Sequence, residues 1–152
     1  MDVLAEEGNP DAFILPRPKT AGPYDYSFSG LKTAFINTVH RLEQAGEPLP
    51  KADLAAGFRK AVCRELTEKA DAVLKDQGGT AAFAMAGGVS ANRELRRMAA
   101  EMCGELRIPL FMPELPLCTD NGAMIGSAAY YRLMNGEIAG LDLNAMPALR
   151  LV

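Results

Sequence analysis

One stretch restricts this chain more than any other: Ala84 to Arg96, AMAGGVSANRELR. An uncharged apolar run, Ala81 to Ala86, has the length of a strand. Gly87 and Gly88 break it, and Ser90 is placed to cap a helix that starts near Ala91. A strand, a tight glycine turn and a helix N-terminus therefore follow one another directly. Such a turn aims backbone N–H groups and the positive end of a helix dipole at whatever lies above it. Glycines there carry no Cβ to hold a ligand away. A plain α/β turn without a ligand has the same letters, so this stretch alone leaves both readings open.

A second stretch, Leu117 to Ile125, reads LCTDNGAMI. Thr119, Asp120 and Asn121 cluster where an apolar strand, Ile108 to Met112, gives way to an apolar helix. A carboxylate in that place is either a helix cap or a metal ligand, since hard cations and iron both accept carboxylate oxygen. One Asp does not decide between them.

The remaining pattern supplies a scaffold. Met1 to Gly8 reads as a short helix stopped by Gly8, Asn9 and Pro10. Pro16 and Pro18 impose extended chain on Asp11 to Thr20. Arg17 and Lys19 are either solvated there or touch RNA phosphate. Tyr24 to Ser29 alternates aromatic with polar residues, as a short strand does. A helix follows to about Glu43, with Leu31, Phe35, Val39 and Leu42 on one face and Lys32 in its first turn. His40, the single histidine, lies off that stripe and reads as a surface residue.

The longest helix is expected over Ala52 to Lys75. Leu54, Phe58, Val62, Leu66, Ala70 and Val73 hold its period, and charges such as Arg59 and Glu65 fall between them. After the glycine turn, a helix to about Glu105 would bury Leu95, Met98, Met102 and Leu106. It would leave Arg93, Arg96 and Arg97 as an exposed basic cluster, solvated or docking RNA phosphate. The last helix, Asn121 to Asn135, is rich in small residues, and the tail from Gly136 has no clear period. The order strand–helix–strand–helix from Ala81 onward gives an α/β fold with a small parallel sheet and a right-handed crossover.

A chain of 152 residues has room for a single domain. Its 49% hydrophobic and 23% charged residues are those of an ordinary globular protein. A net charge of -3 argues against a general nucleic-acid coat, although a local basic patch would still serve an RNA enzyme. No apolar run approaches the ~20 residues of a membrane span, and the acidic amino terminus is unlike a signal peptide. Cys63, Cys103 and Cys118 form no CxxC pair, which disfavours a zinc site. Cys63 and Cys103 fall on apolar helix faces and read as buried thiols of a cytoplasmic protein.

Three motifs in order carry a resemblance. YSFSGLKTA (Tyr26 to Ala34), AGGVSANRELR and CTDNGAMI closely resemble the carboxyl-terminal part of the tRNA threonylcarbamoyladenosine transferases. These belong to the actin-like, sugar-kinase-like (ribonuclease H-like) ATPase superfamily and were formerly labelled O-sialoglycoprotein endopeptidases. The resemblance runs from about Phe13 to the last residues. It implies transfer of a threonylcarbamoyl group from threonylcarbamoyl-AMP to the exocyclic amine of the adenosine beside the anticodon in tRNA. It implies that Asn92 helps hold the nucleotide, ATP or threonylcarbamoyl-AMP, with Gly87 and Gly88 lining the pocket. It makes Asp120 a ligand of one divalent metal ion, iron or zinc, which would polarise oxygens of the adenylate. Thr119 and Asn121 would support that ligand. The implied partners are tRNA, a shorter TsaB-like paralogue and a small TsaE-like ATPase.

Departures from the family pattern are also plain. Its members are about twice this length, and their metal site needs an HxxxH pair that one histidine does not supply. The upstream glycine-rich loop and the acidic residues near the ribose have no match here. The expectation is thus a carboxyl-terminal lobe fragment, inactive alone, with an unpaired sheet edge that favours a homodimer. The alternative is a non-catalytic module that binds partner subunits. A metallo-glycoprotease is disfavoured, because neither a Ser–His–Asp set nor HExxH is present.

Overall fold

A computed structural model of the chain describes residues 2–146. Its elements are α1 (Asp2–Ala5), α2 (Phe28–Gln44), α3 (Lys51–Gln77), β1 (Phe83–Ala84), α4 (Arg93–Leu106), β2 (Leu110–Phe111) and α5 (Gly122–Met134). Short 3-10 turns occupy Gly88–Ala91 and Leu115–Leu117. The chain divides into two compact units, Met1–Cys118 and Thr119–Val152.

The first unit is built on α3. Its 27 residues pack against α1, α2 and α4. Ala5 of α1 meets Ala55 and Ala56. Leu15 and Leu31 close on Ala61, with Phe35, Phe58 and Val62 around them. Leu74 joins Met102 and Cys103 over the strands. Because α3 is covered on several sides, burial reaches beyond the expected stripe to Cys63, Glu65 and Thr67. Glu65 was expected among the solvated charges, yet it is 6% exposed and its Oε1 has no hydrogen-bond partner. Gly57 marks a tight approach. A Cβ there would lie 2.6 Å from the carbonyl oxygen of Phe13, so the chain at Phe13 runs hard against the helix.

The sheet is smaller than expected. β1 and β2 pair in parallel with Phe83 opposite Leu110 and Ala84 opposite Phe111. Pro109 O accepts from Phe83 N–H and Phe111 O from Met85 N–H. The runs Ala81 to Ala86 and Ile108 to Met112 are strands only at these two residues each. One face of the pair rests on α3 and α4, while Phe111 is 63% exposed. A parallel pair whose outer edges are unpaired among the described residues has few ladder bonds to extend it.

Tyr24 to Ser29 forms no strand. Gly22 N–H donates to Asp25 Oδ2 at 2.7 Å, Lys69 donates to Pro23 O, and the Tyr24 hydroxyl donates to the Asp76 carboxylate. These bonds wrap a turn on α3, and α2 begins already at Phe28. The aromatic alternation instead stacks Tyr26 on Phe28, with ring centroids 5.6 Å apart.

In the second unit, α5 has no buried residue. The tail after Gly136 has neither helix nor strand as far as residue 146, and the rest of the expected tail lies outside the described residues.

Candidate nucleotide site at the glycine turn

The turn after β1 departs from the expected strand–turn–helix in one respect. A 3-10 turn, Gly88–Ala91, is interposed before α4. Gly87 opens it with φ of 83°, a conformation that side chains resist, and the space where its Cβ would stand is open. Ser90 does not cap α4. Its hydroxyl donates to Gly87 O at 2.6 Å and closes the 3-10 turn instead.

The cap is Asn92, whose Oδ1 accepts from Leu95 N–H at 2.9 Å. Cys63 Sγ lies 3.5 Å from the same oxygen, and Asn92 Nδ2 donates to Asp2 Oδ1 at 2.9 Å. Burial, and then the charge of Glu94, push the Cys63 thiol up to about 11. Cys63 therefore stays protonated at neutral pH and acts as a donor to Asn92, not as a nucleophile.

Asp2 and Arg59 are the residues the sequence reading missed. Arg59 donates to Asp2 Oδ1 at 3.1 Å, to Glu6 Oε1 at 2.6 Å, and to the carbonyl oxygens of Asp2 and Ala5 at 3.3 Å. Burial opposes its charge, but hydrogen bonds to Asp2 and Glu6 outweigh that and raise its pKa above the ordinary value. A signal for Arg59 existed: it lies four residues before Cys63, on the same face of α3. Asp2 had none, since no local pattern links residue 2 to residue 92. A pocket of about 230 Å³ opens beside these groups, with Phe58, Val62 and Val89 as its apolar wall. A larger, mostly apolar cavity of about 600 Å³ runs along β1 from Tyr26 to Ser90.

The expected basic cluster is divided by its partners. Arg96 is half-buried and donates to Ser90 O and Pro113 O, both at 2.9 Å. It also reaches the Cys118 sulfur, so it ties the glycine turn to the segment after β2. Arg97 pairs with Glu94 and Glu101, while Arg93 is exposed. Arg17 pairs with Glu68, and Lys19, Lys32 and His40 are exposed.

In the second unit, Asn121 caps α5. Its Oδ1 accepts from Met124 N–H at 3.0 Å, and its Nδ2 donates to Thr119 O at 2.8 Å. Asp120 is thus not the helix cap, and it is exposed beside Thr119. Among the described residues no three His, Cys, Asp or Glu side chains are grouped to hold a metal ion. This set does not fit a complete metal centre, and Asp120 offers one carboxylate to it at most.

Residues 1–127 match the family model for TsaD, tRNA N6-adenosine threonylcarbamoyltransferase. The chain belongs to this family. A relative of that name from Synechococcus sp. is 44% identical over 151 residues, covering 99% of this chain and 41% of the relative. One from Limosilactobacillus reuteri is 45% identical, over 98% of this chain and 44% of its own length. A third, from Thermosynechococcus vestitus, is 44% identical over 100% of this chain and 44% of its own. The chain therefore spans less than half the length of these threonylcarbamoyltransferases and corresponds to their carboxyl-terminal part. The three motifs singled out from the sequence all begin within the matched residues. No helix among the described residues is long and apolar enough to cross a membrane.

Proposed function

We propose that this chain is the carboxyl-terminal lobe of a tRNA threonylcarbamoyltransferase and contributes part of its nucleotide site. In this reading the lobe is actin-like and works in the cytoplasm. Asn92 contacts ATP or threonylcarbamoyl-AMP, and Gly87 and Gly88 let the nucleotide approach the backbone. Asp120 gives one carboxylate to a divalent iron or zinc ion whose other ligands come from elsewhere in the enzyme, with Thr119 and Asn121 beside it. The threonylcarbamoyl group passes to the exocyclic amine of the adenosine beside the anticodon. The partners are tRNA, a TsaB-like paralogue and a TsaE-like ATPase, and the lobe alone is inactive.

The observation that carries the nucleotide reading is the bonding of Asn92. An amide has two N–H donors and an oxygen with two lone pairs. Leu95 and Cys63 take the oxygen, and Asp2 takes one N–H. Among the described residues no hydrogen bond takes the second N–H, and Asn92 lines the pocket of about 230 Å³. A calorimetric titration with AMP tests this. Saturable binding that is lost in Asn92→Ala supports a preformed half-site, and no binding by the native chain removes it.

A second reading, an interaction module for a partner subunit, draws on α5. Ile125, Tyr130, Tyr131, Leu133 and Met134 are all more than half exposed there. Partner binding without nucleotide, abolished by Ile125→Asp with Tyr131→Asp, would favour it over the enzyme half-site.

A further inference from the structure

We propose that Arg59 is a positioning residue that sets the orientation of the Asn92 side chain through Asp2. The inference rests on the reading of Asn92 as a nucleotide contact. One oxygen, Asp2 Oδ1, accepts from both Arg59 Nη1 and Asn92 Nδ2, at 3.1 and 2.9 Å. The three groups thus form one line from the middle of α3 to the N-terminus of α4. Asp2 does not hold its own place, because α1 is four residues long and too short to be stable by itself. The guanidinium does hold its place. Its side chain is 14% exposed, it makes three hydrogen bonds to α1 and a fourth to Glu6 just beyond it, and its fork is planar and permanently charged.

The effect on Asn92 concerns which end of the amide faces which way. With a fixed carboxylate on one side, the amide nitrogen must face Asp2 and the oxygen must face Leu95 and Cys63. A flip would set two acceptors against each other at Asp2 and two donors against each other at Leu95. The second N–H is therefore held in one direction. Without Arg59, the carboxylate is free to turn to solvent, and only the Leu95 and Cys63 contacts on the amide oxygen are left to hold that direction.

The test follows the side-chain NH2 pair of Asn92 by NMR, assigned through its disappearance in Asn92→Ala. In Arg59→Met the pair should move toward the position of an exposed asparagine, with partial return in Arg59→Lys. Glu6→Gln removes the charge of another Arg59 partner but leaves the Asp2 arm, so the pair should stay in place. AMP affinity should fall roughly tenfold in Arg59→Met, the loss expected for one charge-assisted hydrogen bond. It should recover in part with Arg59→Lys.

A pair that does not move in Arg59→Met overturns the proposal whatever AMP does. A pair that moves while the native chain binds no AMP upholds the positioning and removes the nucleotide reading instead. Should Arg59→Met detach α1 altogether, Arg59→Lys and Glu6→Gln decide. Displacement in the first alone supports the proposal, and equal displacement in both overturns it.

Discussion

Replacing Asn92 by alanine removes the acceptor for Leu95 N–H and should cost about 1 kcal/mol in urea unfolding, as for other N-caps. Asn92→Asp keeps the cap but sets a second carboxylate against Asp2, so its cost should appear as loosening of α1 while α4 stays intact. Cys63 gives a prediction in pH. Its pKa is raised from 9.0 to about 11, so the folded state holds the proton longer than the unfolded chain. The stability from this group is complete below pH 9 and is lost as pH rises toward 11. Alkylation of native Cys63 by iodoacetamide should keep rising with pH up to about 11. A plateau near pH 9 would show that the thiol is not desolvated.

Two helical glycines make opposite predictions at the scale of the element. Gly57→Ala brings a Cβ to 2.6 Å from Phe13 O, a backbone atom that does not turn aside. Overpacking of about 1–3 kcal/mol should outweigh the gain of about 1 kcal/mol in helix propensity. Gly104 in α4 has nothing within 4 Å of its Cβ position, so Gly104→Ala should stabilise by about 0.5–1 kcal/mol. Thermal melting of the two variants should therefore shift in opposite directions. At the start of α4, the hydrogen bond from Arg97 depresses the Glu94 pKa despite its partial burial. Its contribution is present above the ordinary carboxylate range and is lost as pH falls, and Glu94→Gln should flatten that acid limb.

These elements also show what the sequence made legible. The long helices announced themselves, because a stripe repeating over many turns outlasts local accidents. Ser90 and Asn92 are both good caps two residues apart, and only the interposed 3-10 turn chooses between them. Glu65 looked solvated because the period marks one stripe, whereas α3 is covered on several sides. Tyr24 to Ser29 had the alternation of a strand, but hydrogen bonds to Asp25, Lys69 and Asp76 wrap its start as a turn on α3. The glycine turn was legible from its motif, whereas the capping role of Asn92 was not. Arg59 showed only its place on the face of Cys63, and Asp2 showed nothing, because the link of both to Asn92 depends on tertiary structure.

At the scale of the whole molecule, the outer edges of β1 and β2 have no strand beside them among the described residues. Unpaired edges recruit other chains, and a homodimer is the expected state. Light scattering after gel filtration checks it, and a monomer at high concentration would sink the idea.

The hydrogen bond between Asp2 and Asn92 joins positions 90 residues apart in the sequence. Closing so long a loop costs roughly 4 kcal/mol of chain entropy, several times what one hydrogen bond contributes. The closure is supported only because Arg59 and the small alanine contact of α1 with α3 have shortened the span first. In order of assembly, Asp2 therefore reaches Asn92 only after α1 has docked on α3, and that docking is the step that can reverse by itself. Amide hydrogen exchange should then find α1 opening on its own, well below the free energy of global unfolding. Each such opening would free Asn92 to turn, so the readiness of the turn to receive a ligand would vary with the docking of a four-residue helix.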